Sequence, residues 1–338
     1  YETEPKFARI DAPWCETKLG VTFPDGWTTR RPTLDDLPAI LDLMRASDIA
    51  AAGEAETGED DVKAALTSPH VDPARDCWLA VRPDGGLGGF AYIDNENGGD
   101  SEFVEVYVHP EGGQPSRRPL LDLLVRRVAE RAGERGFATV TAKAGALPGE
   151  GDYIAAIEAA GFAFEKRYAR MRVSLADFAP QPLPPGVTIR LVRPDDEADL
   201  RLFHRIYDTG FRDAHDYQPR DYAAWRAYVD GLSAVAWDEW FVAEVDGVPA
   251  GVLMSSNQVL EHNEGWIKNL AVLREFRRRG VGGALLRHAF GVYAAKGRTQ
   301  AGLGVDLTSP TKAADVYRAA GMEAIYECDI FQQKITAA

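Results

Sequence analysis

The chain has 338 residues, enough for two domains of ordinary size, and its 45% hydrophobic content supports filled cores in place of disorder. A formal net charge of −14 argues against nucleic acid or an anionic membrane as the main partner, since both are bound by basic surfaces. No apolar run approaches a membrane span, and the three cysteines, Cys15, Cys77 and Cys328, have no paired spacing, so a soluble, cytoplasmic protein with no metal or disulfide framework is expected.

In chain order, residues 1–21 read as an N-terminal extension. Gly26-Trp-Thr-Thr-Arg30, followed by Asp35-Asp36-Leu37, opens the first patterned region. Trp78-Leu-Ala-Val-Arg-Pro-Asp84-Gly85 then places an Asp-Gly hairpin turn between two apolar strands. A strand leads into a helix across Val106-Tyr-Val108-His109-Pro110-Glu-Gly112-Gly113-Gln114-Pro115-Ser116-Arg117-Arg118-Pro119-Leu120-Leu121, and Ile157-Glu-Ala-Ala-Gly161-Phe162 closes a later helix.

Pro180-Gln-Pro182-Leu-Pro184-Pro185-Gly186 is a stiff, extended connector. Beyond it the pattern predicts a strand (187–192), helices (195–210 and 219–232) and a meander (240–245, 248–255 and 266–272). The matches Gly26 to Gly186, Trp78 to Trp240, Gly85 to Gly247, Gly89 to Gly251 and Gly161 to Gly321 hold an offset of 160 to 162 residues, so the chain is a duplication. The copies are placed at 22–178 and 186–335, with 179–185 as linker. Each is expected to be an α/β (α+β) domain, a mixed central sheet flanked by helices.

The second copy carries Leu270-Ala271-Val272-Leu-Arg-Glu-Phe-Arg277-Arg278-Arg279-Gly280-Val281-Gly282-Gly283-Ala284-Leu285-Leu286, a strand, a basic glycine loop and a helix start. Helix N-termini present unpaired N–H groups and partial positive charge, so this loop suits a pyrophosphate. It lacks the Gly-Lys-Ser/Thr of an ATP loop, and Gly280-Val-Gly282-Gly283 fits the dinucleotide fingerprint poorly. An apolar run from Gly302 to Leu307 follows, then Ser309-Pro310-Thr311 and Ala313-Ala314-Asp-Val316-Tyr317-Arg318-Ala-Ala320-Gly321-Met322. Ala313, Val316 and Ala320 share one helical face, with Gly321 as a helix-ending residue.

Arg277-x-x-Gly280-x-Gly282 resembles the acyl-CoA pyrophosphate loop of the GNAT N-acetyltransferases, and the segment ending Val-Tyr317-x-x-x-Gly321-Met322 resembles a second GNAT motif. Taken whole, the sequence after about residue 22 is similar to the tandem GNAT proteins of actinobacteria, with a mycothiol-synthase-like architecture. An overall similarity, tied to no single motif, extends to the tandem GNAT associated with clavulanic acid biosynthesis, which implies secondary metabolism. The resemblance implies acetyl-CoA or another acyl-CoA as cosubstrate and a small-molecule amine as acceptor, with no metal. It assigns cofactor contacts to Leu270, Ala271, Val272, Arg277, Arg278, Arg279, Gly280, Val281, Gly282, Gly283, Ser309 and Thr311. In the first copy they fall on Val106, Val108, Gln114, Ser116, Arg117 and Arg118.

The resemblance further implies direct transfer, with an amide near Val272 facing the oxyanion and Tyr317 protonating the leaving thiolate. In the first copy the Gly-x-Gly pair is gone and Ile157 stands where the other has Tyr317, with Tyr153 one turn earlier. Catalysis is therefore assigned to the second copy, and the first is expected to hold acyl-CoA as a structural or regulatory ligand. Asp213, His215, Glu261, His262 and Glu264 are open candidates for the base, and Trp225, Trp237 and Trp240 for the acceptor pocket, with core packing the alternative role for these tryptophans. Two classes of function remain: an N-acyltransferase, and an acyl-CoA-binding regulatory protein with little or no turnover.

Overall fold

In the computed structural model, residues 20–55, 57–67, 70–95, 99–213, 217–232, 234–309 and 311–338 are described. The chain divides into two compact units, one formed by Tyr1–Glu165 with Cys328–Ala338 and the other by Lys166–Glu327. These units are not coextensive with the sequence repeats, because each is completed by a strand that the other repeat contributes.

The first unit contains β1 (Thr28–Arg30), α1 (Leu37–Ala52), α2 (Glu59–Thr67), α3 (Pro73–Asp76), β2 (Cys77–Val81), β3 (Leu87–Asp94), β4 (Ser101–Val108), α4 (Arg117–Glu134), β5 (Thr139–Ala146) and α5 (Gly151–Ala159). The chain then passes along β6 (Ala163–Ser174) into the second unit. That unit holds β7 (Val187–Leu191), α6 (Glu197–Phe211), α7 (Tyr222–Asp230), β8 (Phe241–Val245), β9 (Val248–Ser256), β10 (Glu264–Val272), α8 (Val281–Ala295), β11 (Gln300–Asp306) and α9 (Ala313–Ala319). Strand β12 (Glu323–Thr336) brings the chain back to the first unit.

In the first unit the strand order is β1-β2-β3-β4-β5-β12, and in the second it is β6-β11-β10-β9-β8-β7. Both sheets are antiparallel except for one parallel pair, β4 with β5 and β10 with β11. The second repeat's strand β12 joins β5 from Asp329↔Ala146 to Thr336↔Thr139, whereas the first repeat's strand β6 joins β11 from Tyr168↔Asp306 to Ser174↔Gln300.

Strand alternation explains the two-sided cores. Val104, Val106 and Val108 of β4 pack with Leu120, Leu121, Leu124 and Val128 of α4, and the opposite face packs Leu79 and Phe90 on Ile40, Leu43 and Met44 of α1. In the second unit Leu285, Leu286 and Phe290 of α8 cover Leu253, Ile267 and Leu303, while Phe203 of α6 and Trp225 of α7 cover Trp240, Val242 and Met254. The predicted Asp246-Gly247 turn forms with φ of 52° and 80°, the left-handed pair that a tight hairpin needs. Among the described residues no helix is long and apolar enough to cross a membrane.

Candidate active site

Positive φ values shape the turn into α8: Arg278 at 61° and Gly280 at 79°, the latter standing as N-cap. The Ala284 amide donates to the Gly280 carbonyl at 2.9 Å, so the N–H groups of Val281, Gly282 and Gly283 come before the intrahelical ladder and face outward with the helix dipole behind them. A Cβ on Gly282 would stand 3.5 Å from Val316, 3.7 Å from Val272 and 4.0 Å from Leu270, which places the loop against the end of β10 and the start of α9.

The arginines divide their work. Arg277 donates to the Val272 carbonyl at 3.1 Å, to the Gly210 carbonyl at 3.2 Å and to Asp213 at 2.6 Å. Its side chain thus ties the loop to the ends of β10 and α6. Arg279 bonds Asp246 at 3.3 Å on the surface. Arg278 makes no hydrogen bond or ion pair among the described residues. Arg277→Ala is expected to weaken CoA binding roughly tenfold by loosening the loop, since charge-assisted bonds anchor it at three points. Titration calorimetry with CoA checks this; an unchanged affinity would show that the loop holds its shape without them.

Strands β10 and β11 are paired only from Glu264↔Gln300 to Trp266↔Gly302, after which they part. Lys268 is the extra residue of a bulge between Ile267 and Asn269, and such a bulge bends a strand and increases its twist. The resulting cleft runs from Trp266 toward Val272 on one side and toward Asp306 on the other. Val272 is half-buried and Ala271 is buried, with Leu270 packed against the α8 core.

Helix α9 ends in a Schellman-type turn: Gly321 has φ 89° and the Met322 amide bonds the Tyr317 carbonyl at 3.0 Å. Its buried face is Ala314 with Tyr317. The face predicted from Ala313, Val316 and Ala320 is therefore rotated, and Val316 is 38% exposed beside the glycine loop. Tyr317 is 9% exposed, and desolvation lifts its phenol to about 12, so it stays protonated at neutral pH. Its hydroxyl has no hydrogen-bond partner among the described residues. Half-buried Ser309 and exposed Thr311 precede α9, their hydroxyls 2.9 Å apart.

The candidate bases are not gathered at this cleft. Asp213 is held as a carboxylate, its pKa lowered by hydrogen bonds from Arg274 and Arg277. Glu264 is 1% exposed and paired with Arg170 at 2.9 Å and Arg172 at 3.3 Å. It opens β10, so it stands eight residues, roughly 26 Å, from Val272. Glu261 and His262 are exposed on the turn before it. His215 lies outside the described residues. The space above Gly302 is filled by Glu264, whose Oε1 a Cβ would strike, so Gly302→Ala is expected to cost about 1–3 kcal/mol, read as a lower Tm. An unchanged Tm would mean that the carboxylate moves freely.

Trp225 and Trp240 are 1% and 0% exposed and form a core stack with Phe203, which settles them as packing residues; Trp237 lies 4.4 Å from Trp240.

The first unit keeps the splay without the glycine loop. Strands β4 and β5 pair only from Ser101↔Thr141 to Phe103↔Lys143. Val106 and Val108 occupy the register positions of Leu270 and Val272, but with regular pairing to β3 and no bulge. Ser116, expected among the cofactor contacts, is fully buried, and its hydroxyl donates to the Gly113 carbonyl at 2.7 Å. Gln114 donates to the Pro110 carbonyl at 2.5 Å, and Arg118 is bonded to Asp122 at 2.8 Å. Arg117 lies 5.0 Å over the ring of Tyr153. Glu105, overlooked in the sequence, sits half-buried on β4 at the register position of Asn269; aligning the paired strands of the two repeats would have exposed it.

Two parted parallel strands, a glycine loop opening a helix between them and a following helix with a buried tyrosine make up the fold of the GNAT acetyltransferases. Residues 200–322 match the model of the Acetyltransferase (GNAT) family.

Over 202 residues the chain is 33% identical to the mycothiol acetyltransferase of Salinispora arenicola, a match covering 56% of this chain and 59% of that protein. The chain thus spans less than two thirds of this relative. The GCN5-related N-acetyltransferase of Sphaerobacter thermophilus superposes with a TM-score of 0.76 at 24% identity, covering 94% of this chain and 98% of the other. A tandem GNAT protein from the clavulanic acid biosynthesis pathway gives a TM-score of 0.59 at 18% identity, over 92% of this chain and 99% of that one. At these identities the two structures speak for the fold alone.

Proposed function

We propose that the protein is an acyl-CoA-dependent N-acyltransferase that moves an acetyl group to the amine of a small molecule by direct transfer in a ternary complex. The observation that carries this is the meeting of three parts in the second unit: the outward amides of Val281 to Gly283, the parted ends of β10 and β11, and the protonated Tyr317. The pyrophosphate would lie on those amides with Arg278 beside it, and the loop's packing against Leu270 and Val272 would bring the thioester along the end of β10. An amide near Val272 faces the oxyanion as the amine nitrogen bonds to the carbonyl carbon, and Tyr317 hands its proton to the thiolate. Holding both reactants in one cleft supplies a further part of the rate. The first unit is read as a second acetyl-CoA-binding body.

One observation favours the other reading, a CoA-binding regulator. Asn269 cannot take a proton, and the described base candidates are ion-paired or at the far end of β10. Native mass spectrometry with acetyl-CoA, with and without a panel of amines, separates the two. Loss of the acetyl group only when a suitable amine is present supports the enzyme, whereas stable occupancy across the whole panel would make the protein a binder.

A further inference from the structure

A pair of arginines in the second unit has more bonding capacity than its one partner uses. Met171 of β6, Leu303 of β11 and Ile267 of β10 point into the core beneath α8, so by alternation Arg170, Arg172, Gly302, Gly304 and Trp266 lie on the other face of the sheet. That is the face whose continuation, through Met254, packs under α6 and α7. Arg172 stands opposite Gly302 and Arg170 opposite Gly304, so neither meets a cross-strand side chain. Glu264 fills the space above Gly302, whereas a Cβ on exposed Gly304 would find nothing within 4 Å.

Arg170 and Arg172 both donate to the same oxygen, Glu264 Oε2, at 2.9 and 3.3 Å. Two cations thus serve one buried acid, where one would balance its charge. The Nε of each guanidinium is buried without a partner, and so is Glu264 Oε1. Buried polar groups are seldom left so, and a buried ion pair holds only when its remaining donors and acceptors are met. Trp266 steadies Arg170, whose guanidinium carbon lies 5.3 Å from its ring centroid. The two side chains are 22% and 32% exposed, so the pair is reachable from solvent. Lys268, the bulged residue of β10, adds a third cation, its Nζ 5.6 Å from the Tyr228 ring of α7. Asp306, the next residue of β11 on this face, is occupied in its own turn, where it accepts from the Thr308 amide at 2.8 Å. The open floor at Gly304 is therefore bordered by positive charge that the protein does not balance.

This floor adjoins the cleft. Gly304 lies two residues beyond Gly302, where β10 and β11 stop pairing, and roughly 10 Å along the strands from Val272. Helix α8 covers the opposite face, so a donor held by its glycine loop leaves the arginine face to a second reactant.

We propose that Arg170 and Arg172 form an anion subsite for the acceptor, which is therefore an amine that carries its own carboxylate or phosphate. That the anion belongs to an acceptor rests on the acyl-transfer reading given above; that the pair binds an anion does not. The planar guanidinium fork suits either group, because it donates parallel N–H bonds to a pair of oxygens. The anion sits above Gly304, tethers one end of the acceptor and leaves its amine toward Val272. Discrimination against neutral amines then comes from binding and shows in KM.

The test uses the full chain with acetyl-CoA and a series of ω-amino carboxylates of increasing length, the matching aminoalkyl phosphates and the uncharged carboxamides, reading release of the CoA thiol. The anionic amines are expected to exceed the carboxamides about tenfold or more in kcat/KM, and carboxylate against phosphate tells which anion fits. Arg172→Gln leaves Glu264 paired with Arg170, and Gly304→Val fills open space, so both chains should melt near wild type. Each should raise KM for the anionic amine about tenfold, with kcat within about twofold and the carboxamide unaffected. Glu264→Gln takes the internal counterion from both guanidiniums and should lower that KM about threefold. Carboxamides acetylated as well as the anionic amines overturn the proposal and leave acyl transfer standing. So does a KM that Arg172→Gln and Gly304→Val both leave unchanged, or one that rises in Glu264→Gln as it does in Arg172→Gln, because the arginines then serve only the buried acid. If no amine is acetylated, calorimetric binding of the same anions decides. Binding that is lost in Arg172→Gln upholds the subsite and removes the acyl-transfer reading, and no binding overturns both.

Discussion

A chain ending at Glu327 is expected to lose the cooperative fold of its first unit, although the deleted residues are the last in sequence. Strand β12 belongs to that unit's sheet and pairs with β5 along eight residues, Asp329 to Thr336. It buries Ile330, Phe331 and Ile335 to 6%, 2% and 7% exposure. At about 1.5–3 kcal/mol for each fully buried side chain, these three contribute roughly 4.5–9 kcal/mol. That is comparable with the ~5–15 kcal/mol that holds a whole domain together. The deletion also leaves β5 as a bare edge, open to pairing with other chains. Hydrogen exchange should show β2 to β5 unprotected in the truncated chain while α8 and β11 stay protected, and a peptide of residues 328–338 should restore protection. Wild-type protection of β5 without that peptide would refute the structural role given to β12.

Why this exchange was not legible while the glycine loop was is a matter of range. The loop is specified locally, since Gly280 has to adopt a positive φ and small residues at 282 and 283 keep the first helical turn open; four consecutive positions declare it. The hairpins at Asp84-Gly85 and Asp246-Gly247 are local in the same way. Strands β6 and β12 stand at matching places in the two sequence repeats, so the repeat pattern alone does not say whether each joins β5 or β11. Glu105 was hidden for a related reason. The valines at 104, 106 and 108 announce a strand, but the surroundings that make Glu105 unusual come from Asp94, Tyr153 and Cys328, far apart in the chain. The candidate bases were legible only in part: Asp213 and Glu264 are acidic residues near the right segments, and only the folded chain shows the arginines that pair with them.

Tyr317→Phe is expected to lower kcat for acetyl transfer by about a hundredfold, within the usual range for loss of a positioned general acid, while the Kd for acetyl-CoA changes less than about threefold. The two effects separate because the phenol ring and its hydroxyl do different work. The ring packs in the core with Val281, Ala284, Leu285, Leu303 and Met322, and phenylalanine keeps those contacts. The hydroxyl has no partner among the described residues, so its removal breaks no bond within the protein. A phenol at about 12 holds its proton across the working pH range, so the wild-type rate should show no alkaline fall from this group below about pH 10. Stability gives an independent reading. The folded phenol titrates above its unfolded value, so its contribution is complete below pH 10 and is lost as pH rises toward 12; the phenylalanine variant should lack that portion of the alkaline loss. Steady-state kinetics paired with calorimetric binding decide the matter. An unchanged kcat would remove Tyr317 from proton transfer, and a collapse of CoA binding would mean that its hydroxyl holds the cofactor instead.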